Sequence, residues 1–163
     1  MLENTKLVSL LNDPSLLAKK AYVAGEWVSA KDGKTFDVVN PATGEVIAKL
    51  PDLDVKDAKH AIDEAAIAQK KWAAYTGKER ASILREMYNL MTLNAKDLGI
   101  ILTSEMGKPL AEGTGEIAYA ASFFEWFGEE AKRIYGETIP GHMRDKRITV
   151  RTVIRLSRMC PGI

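Results

Sequence analysis

A single cysteine, Cys160, stands in a chain of 163 residues. One thiol cannot close an internal disulfide, so no cross-linked secreted scaffold is available to this sequence. A reducing, cytoplasmic compartment is the expectation. Histidine is nearly as scarce, and His60 and His142 are too far apart in sequence to suggest a metal centre. No apolar run approaches the ~20 residues that a membrane-spanning helix needs. Residues 1–20 lack the basic start, apolar centre and small-residue cleavage site of a secretory signal. The formal net charge is +1, and no basic stripe is interleaved with aromatics, which argues against nucleic-acid binding. What remains is an ordinary globular composition, 46% hydrophobic and 28% charged. It suits one domain or a piece of a larger one.

Residues 1–20 read as a helical or irregular lead-in. Leu10, Leu11, Leu16 and Leu17 offer apolar contacts to a neighbour, although Asp13-Pro14 interrupts them. From Ala21 the pattern becomes extended. Tyr22 to Val28 reads as a short strand with a glycine-containing turn, Thr35 to Val39 as a second strand and Glu45 to Leu50 as a third. Lys31-Asp32-Gly33-Lys34 and Asn40-Pro41-Ala42-Thr43-Gly44 are the turns between them. The expected result is a small antiparallel β unit, too slight to stand alone.

After Pro51 the period changes to that of a helix. Asp54 is the expected N-cap, with Asp57 at the third helical position. Val55, Ala58, Ile62, Ala65 and Trp72 then form an alanine-rich apolar face that another helix can approach closely. Thr76 and Glu79 have the spacing of a capping box for a second helix bearing Ile83, Leu84, Met87, Leu90 and Met91. Asn94 is the expected cap of a third helix, which Gly107 and Pro109 end. A fourth helix is expected over 115–135, with Gly136 closing it and Glu129 pairing with Arg133. Its seam of Ile117, Ala120, Phe124, Phe127, Ala131 and Ile134 is widened by Phe123 and Trp126, a sign of burial on more than one side. Arg147 to Leu156 reads as an extended arm. The fold class is therefore α+β: a small antiparallel β unit, about four helices, then the arm.

Several strings occur in order and at related spacing. They are Gly25-Glu26-Trp27, Asn40-Pro41-Ala42-Thr43-Gly44-Glu45-Val46, Lys78-Glu79-Arg80 with Ile83-Leu84-Arg85, and Glu105-Met106-Gly107-Lys108-Pro109. The most specific are the run from Gly115 to Phe127 and Tyr135-Gly136-Glu137-Thr138-Ile139-Pro140-Gly141-His142. Together they resemble the N-terminal part of the aldehyde dehydrogenase superfamily, in its succinate-semialdehyde dehydrogenase branch. The resemblance divides the chain into a lead-in over 1–20, a family-like segment over 21–148 and a divergent tail over 149–163. That tail is what a frameshift or early stop would leave, and reading the other frames downstream for a P-W-N-F-P segment tests this.

The resemblance implies an NAD(P)-dependent oxidoreductase. In such enzymes a thiolate attacks the aldehyde, hydride passes to the nicotinamide and the thioester is hydrolysed. It also implies that the nucleophilic cysteine, the general base and the NAD or NADP site lie outside this sequence, so no catalytic residue, no cofactor-binding residue and no metal ligand is assigned here. Cys160 has no fixed pocket or base beside it and reads as an exposed tail residue. Gly113-Thr114-Gly115 reads as a flexible loop rather than a phosphate cradle. By resemblance, Tyr119 and Phe123 line the substrate tunnel of a complete enzyme, whereas Phe124 and Phe127 read as core. The expected function is that of a fragment inactive alone. The alternative is a non-catalytic module that associates with full-length homologues.

Overall fold

In the computed structural model, which describes residues 5–134, 137–140, 143–144 and 147–150, extended segments come first and helices follow. A short helix α1 (Thr5–Val8) and a single 3-10 turn (Pro14–Leu16) open the chain. Asp13 caps that turn by accepting from the Ser15 backbone N–H at 2.9 Å. Next come β1 (Ala21–Val23) and β2 (Glu26–Val28). The span read as one strand is in fact a tight hairpin. Ala24 and Gly25 both take positive φ, +54° and +88°, as a two-residue turn between right-twisted strands requires. Tyr22 faces Trp27 across it, with ring centres 5.2 Å apart.

Strands β3 (Thr35–Val39) and β4 (Val46–Pro51) form a second antiparallel pair. Their turn is closed by Asn40, whose side-chain oxygen accepts from the Ala42 N–H at 2.9 Å. The expected single β unit is thus two separate two-stranded ladders. A third ladder joins β5 (Glu137–Pro140) and β6 (Arg147–Val150), also antiparallel. Strand β5 was not expected, and the part of the predicted arm beyond Val150 lies outside the described residues.

Four long helices lie between these ladders: α2 (Val55–Ala74), α3 (Gly77–Leu93), α4 (Ala95–Met106) and α5 (Leu110–Glu130). The expected Asp54 cap and the expected Thr76–Glu79 capping box both form, and Asp57 turns the former into a second capping box. Asp54 accepts from the N–H groups of Lys56 and Asp57. Thr76 and Glu79 satisfy each other's backbone. Asn94 precedes α4 as expected but turns back to donate to the Leu90 carbonyl at 2.9 Å instead of capping forward. Gly107 ends α4 at φ +75°, a left-handed conformation that glycine adopts without strain.

Packing concentrates where α5 crosses α3 and α4, through glycines. A β-carbon added at Gly99 of α4 would stand 2.6 Å from Thr114 Oγ1, and one at Gly113 of α5 would stand 3.0 Å from the Gly99 carbonyl oxygen. At the start of α3, Gly77 rests on the Ala131 carbonyl, where an added β-carbon would come within 2.5 Å of the oxygen. Helix α2 contrasts with this, because it has no buried residue. Its alanine-rich face has not drawn in a close partner helix. The largest buried apolar cluster sits at the other end: Leu7, Leu11 and Leu17 close on Ile47 of β4, with Ile100 and Ile101 of α4 beside them.

Candidate functional site

The helix that carries the aromatic seam begins earlier than its local sequence suggests. Helix α5 runs Leu110–Glu130 rather than 115–135. Glycines at 113 and 115 disfavour a helix locally, but Gly113 is the residue that lets α5 seat on Gly99. The Gly113-Thr114-Gly115 string is therefore helix, not loop, and it packs on α4 instead of facing a phosphate. Gly136, expected to close the helix, lies outside the described residues.

Which side of α5 faces the bundle is decided by size. The buried positions are Gly113, Ala121 and Gly128, seven or eight residues apart and so on one face. Ile117, Ala120 and Phe124 flank them and are half-buried. The large rings point the other way: Tyr119 is 66% exposed, Trp126 64%, Phe123 45% and Phe127 37%. The expectation of burial on more than one side is corrected for the described residues. Small side chains permit the close crossing, and the aromatic side is left in the open. Phe127, read as core, belongs to the open side, whereas Phe124 is half-buried as a packing residue should be.

The exposed rings are ordered among themselves. Tyr119 meets Phe123 edge to face at 4.9 Å, and Phe123 lies nearly parallel to Phe127 at 6.5 Å. Such i, i+4 ring pairs are favourable geometries. They form one wall of an open groove of about 620 Å³. The other edge belongs to Arg85 of α3, the last residue of the Ile83-Leu84-Arg85 string. Its guanidinium bonds Glu125 at 2.7 Å and Glu129 at 3.0 Å, and it lies 5.3 Å from the centre of the Tyr88 ring. Glu125, then Glu129, hold Arg85 firmly protonated, above its ordinary pKa. Lys132 first and Arg85 second hold the Glu129 carboxyl below the usual carboxylate range. Glu129 thus pairs with Lys132 and Arg85, and Arg133 takes Glu130 at 3.3 Å instead of the expected Glu129.

The Arg85, Ser122, Glu125 and Glu129 side chains that line this groove already have partners. Ser122 Oγ donates to the Tyr119 carbonyl of its own helix at 2.7 Å, and the carboxylates are occupied by cations. An apolar wall with a neutralised charged rim suits the chain of a small organic ligand. The other candidates stand apart from it. His60 is exposed on α2, while His142 and Cys160 lie outside the described residues. Burial pushes the Glu105 carboxyl above its ordinary pKa, and Lys108 of the same string pairs with Glu116. Among the described residues no group of three His, Cys, Asp or Glu side chains could hold a metal ion, and no helix is long and apolar enough to cross a membrane.

A dinucleotide needs a glycine-rich turn between a parallel strand and a helix. Among the described residues every strand pair is antiparallel, and the glycines at 113 and 115 are inside α5. These residues do not fit a nicotinamide dinucleotide, and no chemical step is derived through one.

Comparison with known proteins gives the groove a context. A profile of the aldehyde dehydrogenase family matches residues 27–154. The glutarate-semialdehyde dehydrogenase of Pseudomonas aeruginosa is 56% identical over 86% of this chain and 29% of its own length. The NADP(+) succinate-semialdehyde dehydrogenase of Escherichia coli is 51% identical over the same shares, 86% and 29%. The crystal structure of an aldehyde dehydrogenase from Brucella melitensis biovar abortus superposes with a TM-score of 0.81 at 55% identity, over 85% of this chain and 29% of that one. The chain therefore spans 29% of the length of these two curated relatives, over the region that contains the ladders, the glycine-seated helices and the aromatic wall. By both sequence and fold, the chain belongs to the aldehyde dehydrogenase family.

Proposed function

We propose that this chain is the N-terminal portion of an NAD(P)-dependent dehydrogenase that oxidises a short aldehyde with an anionic far end to the corresponding acid. The observation that carries the reading is identity above one half, over 86% of the chain, to two dehydrogenases named for semialdehydes. Glutarate and succinate semialdehydes both pair a reactive carbonyl with a carboxylate. In this reading Tyr119 and Phe123 form part of the apolar wall along which the aldehyde's carbon chain approaches. Their exposure on one side of α5, ring against ring, supports that role. Arg85, held between two carboxylates, fixes the edge of the wall and leaves little free positive charge for the ligand itself.

The 163 residues alone contribute a binding wall and no turnover. The test is to incubate the purified chain with succinic semialdehyde and NADP+ and follow NADPH absorbance. The expected result is no rate above buffer, and a rate that survives repeated purification would overturn it.

The exposed aromatic face favours a second reading, association with full-length dehydrogenase subunits. Rings 64–66% exposed at Trp126 and Tyr119 form an apolar patch of the kind that partners cover. Co-purification with a tagged full-length succinate-semialdehyde dehydrogenase, weakened by Trp126→Glu, is the expected outcome of this reading. A chain that never co-elutes would end it.

A further inference from the structure

The lead-in is held more firmly than a lead-in needs to be. Three of its leucines bury almost completely, Leu7 to 4%, Leu11 to 8% and Leu17 to 9% exposure, against Ile47 of β4 and the Ile100–Ile101 side of α4, while Leu10 stays exposed. Between these anchors sits one charged tie. Asp97 of α4 is 3% exposed. One of its oxygens accepts from Asn12 Nδ2 at 2.9 Å, and the other accepts from the Asp13 backbone N–H at 2.7 Å. Both oxygens of a buried carboxylate are therefore used by donors more than eighty residues away in sequence. Such a carboxylate is costly to leave without donors, so the segment and Asp97 hold each other in place.

The segment is also closed upon itself. The Asp13 carboxylate accepts from the Ser15 N–H at 2.9 Å and from Ser15 Oγ at 2.6 Å. Leu10, Leu11, Leu16 and Leu17 donate their backbone N–H groups to carbonyls within the same stretch. It can leave its seat without losing those bonds. Helix α4 meanwhile uses two different faces. Asp97 and Gly99 are two residues apart, which turns them about 200° from each other around the helix. One face holds the segment, and the other holds α5 through the Gly99–Gly113 crossing.

We infer that residues 5–17 form a latched strap, which opens as one unit when Asp97 lets go of Asn12 and Asp13 while α3, α4 and α5 stay packed. The Asp13 backbone N–H, the strongest influence, and Asn12 hold the Asp97 carboxyl below the usual carboxylate range although burial opposes them. The latch is thus in its ionised, closed form at neutral pH.

Hydrogen exchange read by mass spectrometry on the purified protein tests this. Asp97→Asn keeps the size of the side chain but points an N–H group at a donor. The expected result is exchange in residues 5–17 and β4 faster by about tenfold or more, with α5 unchanged. Tryptic cutting at Lys6 should rise in parallel. Asn12→Ala leaves the Asp13 bond in place and should speed the same segments by a smaller factor. Unchanged exchange in 5–17, or acceleration of every segment including α5 by one factor, would overturn the inference. If Asp97→Asn does not fold, Asn12→Ala decides alone: a rise confined to the strap and β4 supports the latch, and a uniform rise or none rejects it.

Discussion

The crossing of α4 with α5 and the surface of α2 are built from similar residues and behave in opposite ways. Both are rich in small side chains. At the crossing, Gly99 and Gly113 bring two backbones close enough that a β-carbon on either would clash. On α2 no residue is buried, and Val55 and Ile62 are 81% and 67% exposed. Small residues permit close approach, but they do not create it. What draws α5 in is its half-buried Ile117 and Phe124 beside the glycine seats. Helix α2 is held by its cap, its own ladder and ties such as Lys31 to Asp57 at 3.3 Å.

Breaking the crossing should have the largest effect. In Gly113→Leu the added side chain must enter space already occupied by Thr103 Oγ1 and the Gly99 carbonyl, 2.7 and 3.0 Å from the new β-carbon. Overpacking against backbone costs about 3 kcal/mol or more. Thermal unfolding followed by circular dichroism should show a clear fall in midpoint. A midpoint within a degree of wild type would mean that the two helices are not seated as described.

Acid should act next on the crossing's other neighbour, the Asp97 latch, which has no counterpart on α2. Asn12, Asp13 and Lys96 are the groups around its carboxylate. Because its folded pKa is lowered, its contribution is complete above the ordinary carboxylate value and is lost as pH falls through the lower, folded one. Leu7 and Leu11 methyl signals in NMR should therefore stay in their buried positions down to about pH 4 and shift only below it. Loss of those positions between pH 5 and 7 would contradict the latch. Two charge-assisted bonds are at stake here, against one neutral cap bond in the next case.

The boundary between the loosely and tightly held regions falls at Tyr75–Gly77, where α2 ends and α3 begins. Thr76→Ala removes the acceptor for the Glu79 N–H, 3.2 Å away, and should cost about 1 kcal/mol. Thr76→Ser should restore most of it, and an alanine variant as stable as wild type would show that the cap does not matter to α3.

These contrasts also explain what was readable beforehand. The Asp54 cap and the Thr76–Glu79 capping box were legible because their chemistry is local: Asp54 with Asp57 and Thr76 with Glu79 are three residues apart, and nothing distant decides them. The start of α5 was not. Gly113 and Gly115 both weaken a helix locally, and only the seat offered by Gly99, fourteen residues earlier in chain order and on another helix, reverses the balance. Tyr119 and Phe123 were legible as a pair on one face because their spacing is helical. That Phe127 would share their open side while Phe124 packs was not, since both read as core from spacing alone. Arg85 and Asp97 were missed as organising residues for the same reason: their partners lie 40 residues or more away.

A gain should accompany the next change. Gly128 lies on the buried face of α5, but a β-carbon there would meet Leu84 Cβ at 3.5 Å and the Ala81 carbonyl at 3.6 Å, which is ordinary contact. Gly128→Ala should therefore stabilise by about 0.5–1 kcal/mol through helix propensity. Gly113→Ala, on the same face of the same helix, should destabilise. Opposite signs for one substitution at two buried glycines would separate a seat from a mere absence of side chain.

The smallest expected effect is on α2. In Ile62→Ala a side chain 67% exposed gives up little buried area, and alanine repays part of that by favouring the helix. The net change should stay within about 0.5 kcal/mol, against the roughly 3 kcal/mol expected at Gly113. The same substitution placed in a full-length relative would be informative in the other direction. If it costs 2 kcal/mol or more there and nothing here, the exposed face of α2 is a surface that the rest of a dehydrogenase covers. If it costs the same small amount in both, the alanine-rich stripe is a solvated face, and α2 is held by its ends alone.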